Sequence, residues 1–355
     1  MKKSKKLFAL LSSLVIMAGL VVGGGGLPAE ASDIVVAFSS GSSGTLFRTI
    51  GIEDFRQAGE ELMAAGRIKD FKIVNNVVNR DATEQANIIR DFINDPDINV
   101  IIINPNSRTD LNGVLAEAVA AGNVVVAVDA EVDVPGVISV SINHYDWATK
   151  NAEWITSVRS SGNAIHITGN DGHPANEERI RATHDVLAKF PDIRLIAETT
   201  GRWNNHDSKQ VTEQILGGGH DIDIVFTQDS MAAGILSAFL DLGKLPDVMF
   251  GECGTQFIRM WRELRDQGVE LKFAAQPNPP SIVRSGLLVA LGIAEGKTLK
   301  ADSVGGLYGS TVYYPVVSWF THETADDLWT FLEGTPDDWL HTESFTEEQA
   351  AALFE

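Results

Sequence analysis

One cysteine, Cys253, stands in a chain of 355 residues, so no internal disulfide can form and no lipid-accepting cysteine follows the N-terminal segment. Past residue 31 no apolar run is long enough to span a bilayer. Basic residues are also few: 28 Lys and Arg against 48 Asp and Glu give a formal charge of −20. Such a surface repels nucleic acid and anionic lipid, and neither is expected as a partner. Motifs for covalent or cofactor chemistry are missing as well. There is no G-x-S-x-G elbow, and no G-x-G-x-x-G after the first apolar run. Gly292-Ile-Ala-Glu-Gly-Lys-Thr298 has three residues between its glycines where a phosphate loop needs four, and it follows a helical stretch. The eight histidines include no i, i+4 pair and Cys253 is isolated, so neither a metal site nor a cofactor is expected. His166, inside an apolar run, reads as a core residue. These absences weigh against hydrolase, kinase and metalloenzyme chemistry.

What is present begins with a secretory pattern. Lys2, Lys3, Lys5 and Lys6 precede an apolar stretch from Leu7 to Val22, and Ala29-Glu30-Ala31 supplies a small-x-small cleavage site. Residues 1–31 therefore read as a removable signal peptide rather than a lasting membrane anchor. A secreted, periplasmic protein is the expectation.

The mature chain is organised around residues 99–130. Asn99-Val-Ile-Ile-Ile-Asn-Pro105 and Gly122-Asn-Val-Val-Val-Ala-Val-Asp129 are short Val/Ile-rich runs of the kind buried on both faces of a sheet. Between them Leu111, Val114, Leu115, Ala118 and Val119 recur at helical spacing. The unit is βαβ, with parallel strands and a right-handed crossover. Similar alternation runs from Ile34–Phe38 to Val137–Ile142, and again from Asn163 to Ala275. Two such series predict an α/β protein of two lobes, each a mostly parallel sheet flanked by helices.

Open parallel sheets bind ligands beyond the carboxyl ends of their strands. Polar and aromatic residues recur at those places: Ser42, Ser43 and Phe47, then Asn104 and Asp129, then Arg179 and Trp203, then Gln228 and Asp229, then Gln276 and Asn278. Converging in one cleft, carboxylates and amide oxygens would accept protons from hydroxyls while Arg and amide NH₂ groups donate. Phe47 and Trp203 offer flat apolar faces.

From about Ile34 to Lys297 the chain resembles the periplasmic sugar-binding proteins of the ribose and galactose type. The resemblance rests on the 99–130 unit, on Asn176-Glu-Glu-Arg179-Ile-Arg, and on Gly-Arg-Trp203-Asn-Asn. It rests also on Phe226-Thr-Gln-Asp-Ser-Met-Ala-Ala-Gly234 and Ala-Ala-Gln276-Pro. It implies that Asp129, Arg179, Trp203, Gln228, Asp229 and Gln276 contact a sugar, with Phe47, Ser43 and Asn104 as further candidates. Two departures are visible. Ala130 follows Asp129 where ribose binders place an arginine, and Cys253 takes the position of a ligand aspartate.

The resemblance also implies three hinge crossings, near 143, 276 and 311. Lobe 1 would then comprise 32–142 plus 277–311, and lobe 2 would comprise 143–276 plus 312–355. The tail beyond residue 319, rich in Trp and Leu, is expected to form helices at 325–332 and 346–353, both on lobe 2. Capture of a monosaccharide or polyol for an ABC transporter permease is the implied function. A sensor subunit of the same fold, or a secreted enzyme using the same cleft, are the rival readings. Arg179, facing the cleft, is expected to carry little core packing.

Overall fold

The computed structural model describes residues 32–42, 44–75 and 81–355. The expected signal peptide, 1–31, and Ser43 lie outside the described residues. The first lobe alternates β1 (Val35–Ser40), α1 (Leu46–Ala64), β2 (Asp70–Val74), α2 (Ala82–Ile93), β3 (Val100–Asn104), α3 (Asn112–Ala120), β4 (Val124–Val128) and β5 (Val137–Ser141). The second runs α4 (His144–Val158), β6 (Gly162–Thr168), α5 (Pro174–Leu187), β7 (Ile193–Thr200), α6 (Asn205–Gly217), β8 (Ile224–Phe226), α7 (Ala232–Asp241), β9 (Val248–Phe250), α8 (Thr255–Asp266) and β10 (Lys272–Ala275). The chain then returns through α9 (Ile282–Ala294) and ends with β11 (Thr311–Tyr313), β12 (Phe320–Thr321), α10 (Ala325–Leu332) and α11 (Glu347–Ala351).

Each lobe holds a six-stranded sheet, ordered β2-β1-β3-β4-β5-β11 in the first and β7-β6-β8-β9-β10-β12 in the second. The two orders are the same doubly wound pattern, and among the strand ladders of the described residues only the β10–β12 edge pair is antiparallel. Strand composition explains the layering. All six residues of β1 and all five of β3 are buried, as expected where helices cover both faces of a sheet. Helix starts are fixed locally: Asp81 caps α2 through Thr83 N and Glu84 N, and Asn204 caps α6 through His206 N and Asp207 N. One apolar cluster is continuous between the lobes, joining Val126 and Leu287 to Trp147, Phe226 and Phe250. The Trp147 indole N–H donates to the Pro277 carbonyl at 3.1 Å, tying α4 to the segment that leads back to lobe 1.

Two expectations about the end of the chain need correction. β11 pairs in parallel with β5, so residues 311–313 belong to the first sheet and the third crossing falls between Tyr313 and Phe320. The apolar run at 312–317 signals a strand but says nothing about which sheet edge receives it. The tail also divides between the lobes. α10 buries Leu328 and Leu332 in the lobe 2 core, and the Gly254–Leu340 bridge holds the next segment there. The chain then passes back to lobe 1: the Phe345 amide donates to Ser285 Oγ on α9 at 2.9 Å, and the Glu355 amide donates to the Thr298 carbonyl at 2.9 Å. α11, closed by a Thr346/Gln349 capping box, packs on α9 of lobe 1 rather than on lobe 2.

Candidate functional site

The carboxyl ends of both sheets face one cavity, with about 400 Å³ of empty space, between the lobes. Lobe 1 lines it with Ser42, Thr45, Phe47, Arg48 and Asp129; lobe 2 lines it with Asn170, His173, Arg179, Trp203 and Asp229; Asn278 comes from the second crossing. Its lining, a few polar and charged groups among aromatic and apolar ones, is of the kind that binds small molecules. A larger, more open hollow lies beside the crossings, but its charged groups are already paired: Arg108 and Arg181 with Glu178, and the Tyr313 hydroxyl with Glu131 at 2.6 Å.

The lobe 2 wall is a connected hydrogen-bond network around Arg179. Arg179 sits one turn inside α5, which begins at Pro174 with His173 as its cap. Its guanidinium is 1% exposed, ion-pairs with Asp229, donates to Gln228 Oε1 at 3.4 Å, and lies 4.3 Å over the Trp147 ring. Arg179 therefore carries substantial packing, contrary to the expectation from sequence, and it pairs with Asp229 rather than with a neighbouring glutamate. The Trp203 indole N–H donates to Gln228 Oε1 at 2.8 Å, and the Gln228 amide donates to Asn176 Oδ1 at 2.8 Å. Trp203 has φ +53°, and a Cβ on Gly169 would lie 2.2 Å from its ring, so glycine is required there for the indole to approach. His173 meets the same ring edge-on, with centroids 4.8 Å apart.

The lobe 1 wall is sparser. Asp129, just past β4, adopts φ +66°, a conformation that short acidic residues tolerate. Its carboxylate is 3.8 Å from Arg48 and 3.8 Å from His144, at ion-pair but not hydrogen-bond range. Burial pushes its pKa up to about 6, outweighing the attraction of Arg48 and Arg179. Arg48, from the first turn of α1, supplies beside Asp129 the guanidinium that Ala130 does not. Across the cavity the Asn278 amide donates to Asp229 Oδ2 at 3.2 Å.

His144, at the start of α4, connects the two walls. Arg179 Nη2 donates to its Nδ1 at 3.1 Å, which leaves the proton on Nε2 to be donated to the Asp129 carbonyl at 3.0 Å. Burial first, and the neighbouring Arg179 second, hold this imidazole well below its ordinary pKa, so it is neutral. Beneath Asp229, the buried Glu252 accepts the Met231 and Ala232 amides at 3.0 and 3.4 Å and so caps α7, which lacks a cap of its own. Burial raises the Glu252 pKa to about 7.

Of the residues singled out from sequence, Asp129, Arg179, Trp203, Asp229 and Phe47 line the cavity. Gln228 lies behind it, holding Trp203 and Arg179. Gln276 instead borders a small void with Glu252 and Cys253, beneath Asp229. Asn104 is not brought to the cavity: it is 1% exposed, and its carbonyl accepts the Gly41 amide at 2.8 Å and the Gln85 amide at 3.0 Å. The strand end that signalled Asn104 is occupied by loop backbone. Arg48, His144, Asn170 and His173 were missed because they open helices or sit in loops rather than ending strands; the caps at Thr45, Asn143 and His173 were the available signal.

The two acids and two arginines balance, so the cavity suits an uncharged ligand rich in donors and acceptors. Comparison with known proteins agrees with the fold. A family model described as periplasmic binding protein domain matches residues 35–298. The chain is 26% identical over 267 residues to a xylitol-binding protein of Mycolicibacterium smegmatis, covering 71% of this chain and 72% of that one. It is 24% identical over 183 residues to a D-apiose import binding protein of Actinobacillus succinogenes, covering 50% of this chain and only 59% of the relative. An ABC transporter solute binding protein from Thermobispora bispora superposes with a TM-score of 0.78 at 24% identity, over 90% of this chain and 94% of that one. With the matched segment running from the first strand past α9, the chain belongs to the periplasmic binding protein family.

Proposed function

We propose that the protein is a secreted solute-binding protein that closes on a neutral monosaccharide or polyol and presents it to an ABC transporter permease. The observation that carries this reading is the interlobe cavity with one acid–arginine pair from each lobe: Asp129 with Arg48, and Asp229 with Arg179. Hydroxyl groups both donate and accept, so each can bridge a carboxylate and a guanidinium. Trp203 and Phe47 would cover the C–H faces of the ligand. A ligand touching both walls binds the closed form more tightly than the open one, and only such a difference can shift the population of closed protein. Hinge closure of this kind is a known behaviour of periplasmic binding proteins.

The relatives named for D-apiose and xylitol support a five-carbon polyhydroxy ligand as the first to test. Residues 1–31 would direct export and be removed, and the bound compound would leave unchanged. A thermal-shift and calorimetric panel of pentoses, pentitols and hexoses tests the proposal. A saturable, concentration-dependent rise in Tm with one or a few of these, lost in Arg179→Ala, is expected. No rise with any of them would contradict the proposal, and conversion of the compound would favour the enzyme reading.

A further inference from the structure

Away from the cavity, three side chains from three elements of lobe 2 converge on one oxygen atom. His166 on β6 and Glu198 on β7 are directly paired in the parallel ladder, so both project from the same face of the sheet. α5 crosses that face and places His184 over them. His166 Nδ1 lies 2.8 Å from Glu198 Oε2, and His184 Nε2 lies 2.6 Å from the same Oε2. All three donor atoms fall within 4.8 Å of one another. None of these residues lines the interlobe cavity.

We propose that His166, His184 and Glu198 form a binding site for a divalent transition-metal ion, with Zn²⁺ as the reference ion. Two imidazoles and one carboxylate are the donor set of a three-ligand zinc site, with the fourth position left to water. Each imidazole directs a proton at the same carboxylate oxygen. A cation would take the place of those two protons, each imidazole keeping its one proton on the opposite ring nitrogen (Nε2 of His166, Nδ1 of His184), and the carboxylate would swing aside to bind it. Tetrahedral bonds of 2.0–2.1 Å need donor atoms about 3.4 Å apart. The necessary adjustment falls on His184 and Glu198, whose side chains are 47% and 30% exposed. His166, 1% exposed in a central strand, is the fixed ligand.

The site would clamp β6, β7 and α5 together. Those elements carry Arg179 and lead into Trp203, but the clamp lies within one lobe. Metal should therefore stabilise the protein without altering its affinity for a ligand held between lobes.

The test is titration of the chelator-treated protein with ZnCl₂, followed by calorimetry and Tm. One saturable Zn²⁺ per chain, raising Tm, is expected. Glu198→Gln, which keeps a hydrogen-bonding group, and His184→Ala should each weaken Zn²⁺ binding by at least about tenfold. His206→Ala, on the exposed side of α6, should leave it unchanged. Co²⁺ used as a probe should give the visible absorption of a tetrahedral N/O site in the wild type and lose it in Glu198→Gln. Zn²⁺ binding within about twofold of wild type in both cluster variants would overturn the assignment. So would an equal loss in His206→Ala, which would mark an adventitious ion, or no saturable binding at all. These readouts need no sugar, so failure here leaves the interlobe site untouched.

Discussion

The two lobes share one strand order, yet they present their halves of the cavity in different states. On lobe 2, Arg179, Asp229, Gln228, Trp203 and Asn176 are joined to one another by direct hydrogen bonds. On lobe 1, the Asp129 carboxylate stands 3.8 Å from each of its cationic or imidazole neighbours. The difference shows in their electrostatics. Burial and the nearby Asp229 outweigh the arginines at Asp129 and raise its pKa to about 6. A preorganised wall contributes to folding and to binding together. A buried carboxylate whose charged neighbours stand back costs folding stability and recovers part of it when further donors arrive. Lobe 2 is thus the prebuilt half of the site, and lobe 1 holds an acid in reserve for ligand hydroxyls.

The largest effect should come from breaking the prebuilt wall. Arg179→Ala leaves Asp229 buried without its partner and uncovers Trp147, so two losses are expected. Ligand affinity should fall roughly 30- to 1,000-fold, and urea unfolding should show a loss of about 3–5 kcal/mol. Lobe 1 should behave differently. Asp129→Asn keeps the shape but weakens the acceptor, and calorimetry should report an affinity loss of about tenfold with no loss of folding stability. Affinity in the wild type should also rise with pH through about 6, because hydroxyls donate to the ionised form of Asp129; a pH series of calorimetric titrations checks this, and Asp129→Asn should flatten it. Trp203→Phe removes the indole N–H that Gln228 accepts and should cost affinity about threefold to tenfold. The smallest effect belongs to Asn104→Ala, which changes a buried residue that does not line the cavity and should alter affinity by less than about twofold.

Much of this architecture was legible in the chain itself, for local reasons. Val/Ile runs such as 100–103 and 124–128 can only be covered strands, and the helical spacing between them forces a parallel pair. Asp129 and Asp229 were visible because a parallel sheet delivers the residue after each strand to its binding edge. Arg48 was not visible. It lies within the first turn of α1, and only packing against the loop after β4 brings it to Asp129. The sheet chosen by β11 was equally hidden, since Thr311–Tyr313 would suit either edge. α11 returned to lobe 1 through contacts of Phe345 and Phe354 with α9 that no local pattern announces. The His166–His184–Glu198 cluster escaped a search for i, i+4 pairs because its members come from two strands and a helix.

The contrast between the lobes is tested most directly by urea unfolding of ligand-free wild type and Asp129→Asn across pH. The sign follows from the raised pKa. Between the unfolded value of 3.8 and the folded value of about 6, the native state holds a proton that the unfolded state has lost. The contribution of Asp129 to stability therefore falls as pH rises through that window, by up to about 3 kcal/mol, and stays low above it. Asp129→Asn should match the wild type only below about pH 4 and exceed it by about 1–3 kcal/mol at pH 8. A variant that is equal to or weaker than wild type at pH 8 would contradict the picture of lobe 1 holding an incompletely compensated acid for its ligand.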